Sequence, residues 1–133
     1  MITIIEYLTA IREYAKEIHY RTHGKEFYGI HLLMDRVADG IYDTIDQIKE
    51  VYYLGSSNEP PLASEILKNA AERIPGVTSS TEQNLKNLFE LIEITVAHAQ
   101  TLNQQLQTRA TNALLDSISE NLQLKQGLIW KSL

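Results

Sequence analysis

The chain has 133 residues, a mass of 15.1 kDa and a formal net charge of −5, so residues 1–133 are expected to form a single domain with a real hydrophobic core. The charge gives no general attraction for nucleic acid. The sequence shows neither the long apolar run of a transmembrane helix nor the basic and apolar start of a secretory signal. Cysteine is absent, which excludes disulfides and thiolate sites, favours a cytoplasmic location, and leaves imidazole and carboxylate as the metal ligands.

Apolar residues recur at helical spacing through the first half of the chain. Residues 3–22 are predicted to form a helix, with Thr3 and Glu6 as a capping box at its start and Gly24 after its end. Residues 26–53 are predicted to form one continuous helix. The apolar stripes of these two helices are Ile4, Leu8, Ile11, Ala15 and Ile18, then Ile30, Met34, Val37, Ile41, Ile45 and Ile48.

The second half repeats this pattern after a loop. Residues 62–73 are predicted to form a short helix that ends before Pro75. A third long helix is predicted to begin at overlapping caps in residues 78–80, and the last to span 109–131, with its end weakened by Gly127. The apolar stripes of these two long helices are Leu85, Leu88, Ile92, Thr95, Ala99, Leu102 and Leu106, then Thr111, Leu115, Ile118, Leu122 and Ile129.

Four long amphipathic helices result, and no strand pattern competes with them. Short links join the first two helices and the last two, which makes each pair antiparallel neighbours. About 25 residues with a short helix separate the pairs, which permits a crossover. The sequence therefore predicts an all-α fold, a four-helix bundle with a short helix in the long crossover between helices 2 and 3.

Between residues 19 and 50 the chain carries candidate ligands for a hard or borderline cation. On a continuous second helix, the four candidates from His31 to Glu50 share one face that points away from the apolar stripe. His31 and Asp46 would then lie about 22 Å apart, so no single ion could contact both. No Glu-x-x-His pair occurs, which argues against the common di-iron centre inside a bundle. The five candidate ligands are His19, His31, Asp35, Asp46 and Glu50.

A second copy of the chain would bring the two separated groups of ligands together. If its second helix packs antiparallel about a two-fold axis near residues 39–42, the His31–Asp35 end of one chain meets the Asp46–Glu50 end of the other. Two equivalent sites would then form in each dimer. The predicted site is shared between subunits.

His19 joins the first end of this site, because a turn at Gly24 sets it at a height similar to that of His31 on the adjacent helix. The alternative is that the five candidates are unrelated surface groups, which is the usual situation for single carboxylates and histidines. His23 and His98 are assigned to that alternative, because neither has a carboxylate at ligand spacing on its face.

The sequence resembles the Dps proteins, the miniferritins, in three stretches. Residues 19–35 read HYRTHGKEFYGIHLLMD, which resembles the family's HWNVKG-x-x-FYGLH-x-x-FD. Residues 43–55 read DTIDQIKEVYYLG, which resembles its D-x-x-x-E stretch. Residues 110–133 resemble its final helix, with Trp130 in place.

This resemblance implies a ferritin-like bundle that assembles into a hollow dodecamer. Such proteins oxidise Fe(II), commonly with hydrogen peroxide, at sites between two-fold-related subunits, and store the ferric iron inside, which protects against oxidative stress. By position, one subunit would supply His19, His31 and Asp35, and its partner Asp46 and Glu50, as metal ligands and catalytic groups.

Three departures from the family pattern affect these expectations. Tyr20 stands where the family usually has tryptophan. Gln126 and Gly127 replace a usual Glu-Lys, which bears on subunit contacts. The first helix begins almost at Met1, without the basic arm that some members use on DNA, so DNA binding is not expected.

Three functions remain open on the sequence. The first is an intersubunit ferroxidase that uses peroxide or oxygen and stores iron. The second is a Dps-like bundle that binds another metal such as zinc, or none, and acts as a structural or binding protein. The third is a helical interaction module unrelated to metals.

Overall fold

The computed structural model describes residues 1–105 and 108–133, and within them every regular element is helical. The fold is all-α, as the sequence predicts. No helix in the described ranges combines the length and the apolar character that crossing a membrane requires. In chain order the elements are α1 (Ile2–Arg21), α2 (Phe27–Ala38), α3 (Ile41–Ile48), a π-helix (Lys49–Leu54), α4 (Ala63–Arg73), α5 (Thr81–Gln105) and α6 (Arg109–Ser132).

The helices pack side by side around one apolar core. α1 packs against α2, α4 and α5, while α5 pairs along its length with α6 and α2 also touches α6. The predicted stripes line this core: their described members are buried, apart from the half-buried Leu102. Leu106 lies outside the described residues. The helical periodicity thus predicted which side of each helix faces inward.

The predicted continuous helix over residues 26–53 is wrong at its middle, because the chain turns between α2 and α3. Asp39 has φ −61° and ψ 136°, and Gly40 has φ 75° and ψ −3°, which are the angles of a type II turn. The second central position of that turn needs positive φ, which glycine adopts without strain. Val37 and Ile41 are nevertheless both buried, so the apolar pattern stays in phase across the turn and could not reveal it.

The end of the same predicted helix is also altered, because residues Lys49–Leu54 form a π-helix. The N–H of Gly55 donates to the carbonyl of Glu50 at 3.1 Å, five residues earlier. A Cβ on Gly55 would lie 2.7 Å from the carbonyl oxygen of Val51, so glycine permits this close approach. Short π-helices occur often at functional sites, and this one carries a candidate ligand, Glu50.

The predicted capping box at the start of α1 does not form. No side chain caps this helix, and Glu6 instead turns into the molecule, where it is 3% exposed. Its carboxylate accepts hydrogen bonds from Arg73 at 2.9 and 3.2 Å and from Asn69 at 2.7 Å. Pairing with α4 outcompeted the local cap, since a buried carboxylate needs charged and polar partners.

The starts and ends of the later helices follow the sequence more closely. The hydroxyl of Ser80 accepts from the N–H of Gln83 at 3.1 Å, which confirms a cap in residues 78–80. α4 begins one residue after the predicted start. α6 continues through Ser132, so Gly127 does not end it.

Candidate metal centre

The hairpin between α1 and α2 brings two histidines face to face. The chain reverses near Gly24, which has φ 93°, so the end of α1 lies beside the first turns of α2. The imidazole rings of His19 and His31 stack with their centroids 3.6 Å apart and their planes 24° apart. His19 is buried, whereas His31 is half-buried at the surface of the hairpin.

A backbone hydrogen bond determines which nitrogen of His19 is available. Its Nδ1 lies 2.9 Å from the carbonyl oxygen of His31. Because a carbonyl can only accept, Nδ1 carries the hydrogen and Nε2 keeps the lone pair in the neutral ring. This second interaction of the ring is the usual way in which a metal-binding histidine is oriented.

His31 carries a buried nitrogen without a partner. Within the described residues its Nδ1 is enclosed but makes no hydrogen bond. Such buried polar atoms are rare, since each forfeits a hydrogen bond to water, and they call for an unseen partner. A cation at this position would supply one.

The carboxylate of Asp35 completes the group and is already paired. Its Oδ1 lies 2.7 Å from the Lys16 ammonium and 3.4 Å from Nδ1 of His19. The hydrogen bond from Lys16 lowers the pKa of Asp35 most strongly, burial raises it by a smaller amount, and the neighbouring groups of His19, Lys16 and His31 lower it further. Asp35 is therefore ionised at neutral pH, and Oδ2 remains as a ligand oxygen.

Together, His19, His31 and Asp35 offer one possible ligand atom each, and these atoms all lie within 4.8 Å of one another. Two imidazoles and one carboxylate suit iron, manganese or zinc, and three ligands leave coordination positions open. The donor set and the unpartnered nitrogen both fit a divalent cation. The ammonium of Lys16 is the group with which that cation would compete.

The other two predicted ligands lie elsewhere in the chain. Asp46 is exposed on α3 and Glu50 is exposed on the π-helix, beyond the turn at Gly40. In the described structure neither belongs to the group formed by the two histidines and Asp35. One chain thus assembles three of the five predicted ligands and leaves two carboxylates at the surface.

Two exposed aromatic side chains contact the histidines of the three-ligand group. Tyr20 is 75% exposed and packs edge-on against His19, with centroids 4.9 Å apart. Phe27 lies 4.9 Å from the ring of His31. Tyr28 and Leu32 are also exposed on α2. An apolar rim around polar ligands is typical of a surface that another molecule covers.

The sequence reasoning missed Lys16. Its spacing carried a signal, because it precedes His19 by three residues on a helix and so shares its face. The two histidines assigned to the surface lie outside the group. His98 packs against Tyr7 with centroids 5.1 Å apart, and His23 follows α1 in the exposed turn.

Comparisons of the chain with protein-family models, with curated proteins and with solved structures found no match. The functional argument therefore depends on the residues and their geometry.

Proposed function

We propose that this chain is the subunit of a Dps-like miniferritin that oxidises Fe(II) at sites completed by a second copy and stores the ferric product. In this proposal α1, α2 with α3, α5 and α6 are the long helices of a ferritin-like four-helix bundle, and α4 is the short helix of its crossover. Copies related by two-fold axes would assemble further into a dodecameric cage.

One observation carries the proposal: the hairpin brings together two imidazoles and a carboxylate that could hold a cation. The two stacked imidazoles and Asp35 converge within 4.8 Å, yet three ligands leave a six-coordinate ion such as Fe(II) unsaturated. Asp46 and Glu50 are exposed on α3 and on the π-helix. A two-fold partner would place its own pair of carboxylates opposite the half-site, and the apolar rim would be buried in that contact.

The chain's residues have distinct roles in this chemistry. The histidines and Asp35 would bind Fe(II) from one side, and the partner's carboxylates would neutralise its charge and hold a second ion nearby. Two ferrous ions each give one electron to hydrogen peroxide, which takes up two protons and leaves as two waters. Oxygen is the alternative oxidant. Open coordination positions admit the oxidant.

A second function is favoured by the contact between Lys16 and Asp35. At 2.7 Å this ion pair neutralises the carboxylate without any metal. A chain that keeps the pair closed would form the same dimer without a metal, and one that opens the pair only for zinc would bind zinc. Either chain would act as a structural or binding protein. Elemental analysis of the purified protein separates the two functions, since stoichiometric zinc without iron turnover supports the second.

Anaerobic titration with Fe(II), followed by addition of peroxide, tests the proposed function. The wild-type chain is expected to bind iron and to consume peroxide as iron is oxidised. Asp46→Ala and Glu50→Ala are expected to keep the fold, because both side chains are exposed, and to lose oxidation. Glu93→Ala, which removes an exposed carboxylate from α5, is the matched control.

The titration also defines failure. Wild-type protein that neither binds Fe(II) nor accelerates its oxidation contradicts the proposal. Loss of activity in the Glu93 variant as well would show that surface charge, and not these two positions, determines the rate.

A further inference from the structure

Lys125 is a buried lysine of α6 that the proposed iron chemistry does not use. It is 4% exposed, and its ammonium donates hydrogen bonds to the carbonyl oxygens of Val37 at 2.7 Å and of Asp39 at 2.6 Å. Val37 belongs to the last turn of α2, and Asp39 is the residue that follows this helix. The ammonium of Lys125 therefore binds two carbonyl oxygens at the junction between α2 and α3.

These contacts favour the interrupted helix over a continuous one. In a continuous helix the carbonyls of Val37 and Asp39 would accept from the N–H groups four residues later. At the junction they lie at a helix end, where the last carbonyls lack such partners and carry partial negative charge. A lysine at this place supplies both the donors and the charge. The apolar pattern would fit either form, so Lys125 and Gly40 decide between them.

We propose that Lys125 is a positioning residue that holds the α2–α3 junction in its interrupted form and so sets where the Asp46–Glu50 segment lies relative to the ligands on α2. The effect on the junction is independent of any metal. The consequence for iron chemistry rests on the proposed function.

A distance between spin labels on the two helices measures the junction directly. The chain lacks cysteine, so labels attach only to introduced cysteines, here at the exposed positions of Gly29 on α2, where an added Cβ meets nothing within 4 Å, and Gln47 on α3. Dilution with unlabelled protein removes distances between chains. Lys125→Met, which keeps an aliphatic side chain but removes the donors, is expected to lengthen or broaden the distance. Amide exchange over residues 38–44 should become at least about tenfold faster, since bonds to a charged donor are lost.

Four further variants make this result specific. Lys131→Met is the same substitution at an exposed site of the same helix and is expected to change nothing. Lys125→Arg keeps a cationic donor and is expected to retain the wild-type distance. Gly40→Ala, where an added Cβ meets nothing within 4 Å but φ is 75°, should lengthen the distance as Lys125→Met does. Lys125→Gln, which stays polar but loses the charge, tests the role of Lys125 if Lys125→Met fails to fold, and is likewise expected to lengthen the distance.

Unchanged distance and exchange in Lys125→Met would overturn the inference. If that variant does not fold, unchanged distance and exchange in Lys125→Gln overturn it.

Iron measurements on the same variants separate this inference from the proposed function. Lys125→Met should still bind Co(II), a cation that is not oxidised here, because the ligands of α1 and α2 stay in place, but more weakly than the wild type, because the carboxylates beyond the junction move. Its Fe(II) oxidation should fall at least about tenfold, because the carboxylates beyond the junction move. A loosened junction with unchanged oxidation rejects the positioning role. A loosened junction in a protein whose wild type never oxidises iron rejects the proposed function and leaves the role of Lys125 at the junction established.

Discussion

Replacement of Lys16 by methionine is expected to increase the affinity of the half-site for a divalent cation. The ammonium lies 2.7 Å from Oδ1 of Asp35. It therefore neutralises the carboxylate that would otherwise bind the metal. Methionine keeps the aliphatic packing and removes the competing charge.

The size of this effect follows from the exposure of the pair. The side chains of Lys16 and Asp35 are 25% and 47% exposed, so water screens their attraction and a cation displaces the ammonium at small cost. Ion pairs of this kind are weak, and their loss should lower the apparent Kd roughly two- to fivefold. Salt should reduce the difference between variant and wild type.

Calorimetric titration with Co(II) or Zn(II) measures the change without oxidation. Lys86→Met is the matched control, because it breaks a comparable ion pair with Glu82, at 3.0 Å on α5, and is expected to leave the affinity unchanged. Weaker binding in Lys16→Met would refute the reasoning, since it would mean that Lys16 orients Asp35 for the metal instead of competing with it.

Other predictions concern stability. Arg73→Leu leaves the carboxylate of Glu6, which is 3% exposed, without its ion pair and should lower the free energy of unfolding in urea by about 3 kcal/mol. Adding Glu6→Leu should recover part of this stability, and a fully additive loss in the double variant would contradict the prediction. Burial lowers the pKa of Lys125 to about 8 from 10.5. The unfolded chain therefore binds more protons between these pH values, and stability should rise with pH across that window, by up to about 3 kcal/mol relative to Lys125→Met; parallel pH profiles would contradict this. Gly55→Ala places a Cβ 2.7 Å from the Val51 carbonyl and should disturb the end of the π-helix, seen as faster amide exchange near residue 55; unchanged exchange would show that the backbone adjusts freely.

Helical periodicity predicted the helices and their buried sides well, because burial of an apolar stripe is a property of each segment alone. It failed at the α2–α3 junction, where the stripe is compatible with both a continuous and an interrupted helix. The deciding groups are Gly40 and the ammonium of Lys125, which lies 86 residues away from Asp39 in the chain. The capping box failed for the same reason, since Glu6 binds Arg73 of α4.

The candidate site also has a part that the sequence predicts and a part that it does not. The group formed by His19, His31 and Asp35 depends on one hairpin, and the spacing about Gly24 was enough to predict that they lie together. Lys16 was missed because only cation ligands were sought. The partner's contribution of Asp46 and Glu50 stays a prediction, since it depends on contacts between chains.

Complementation between two inactive variants tests the shared site most directly. One chain carries His31→Ala and Asp35→Ala, the other Asp46→Ala and Glu50→Ala, and each alone should fail to oxidise Fe(II). When both are coexpressed and assemble at random, about a quarter of the sites combine an intact half from each chain. Recovery of about a quarter of wild-type activity is the predicted result. No recovery, in mixed assemblies shown by mass to contain both chains, would contradict a site built between subunits.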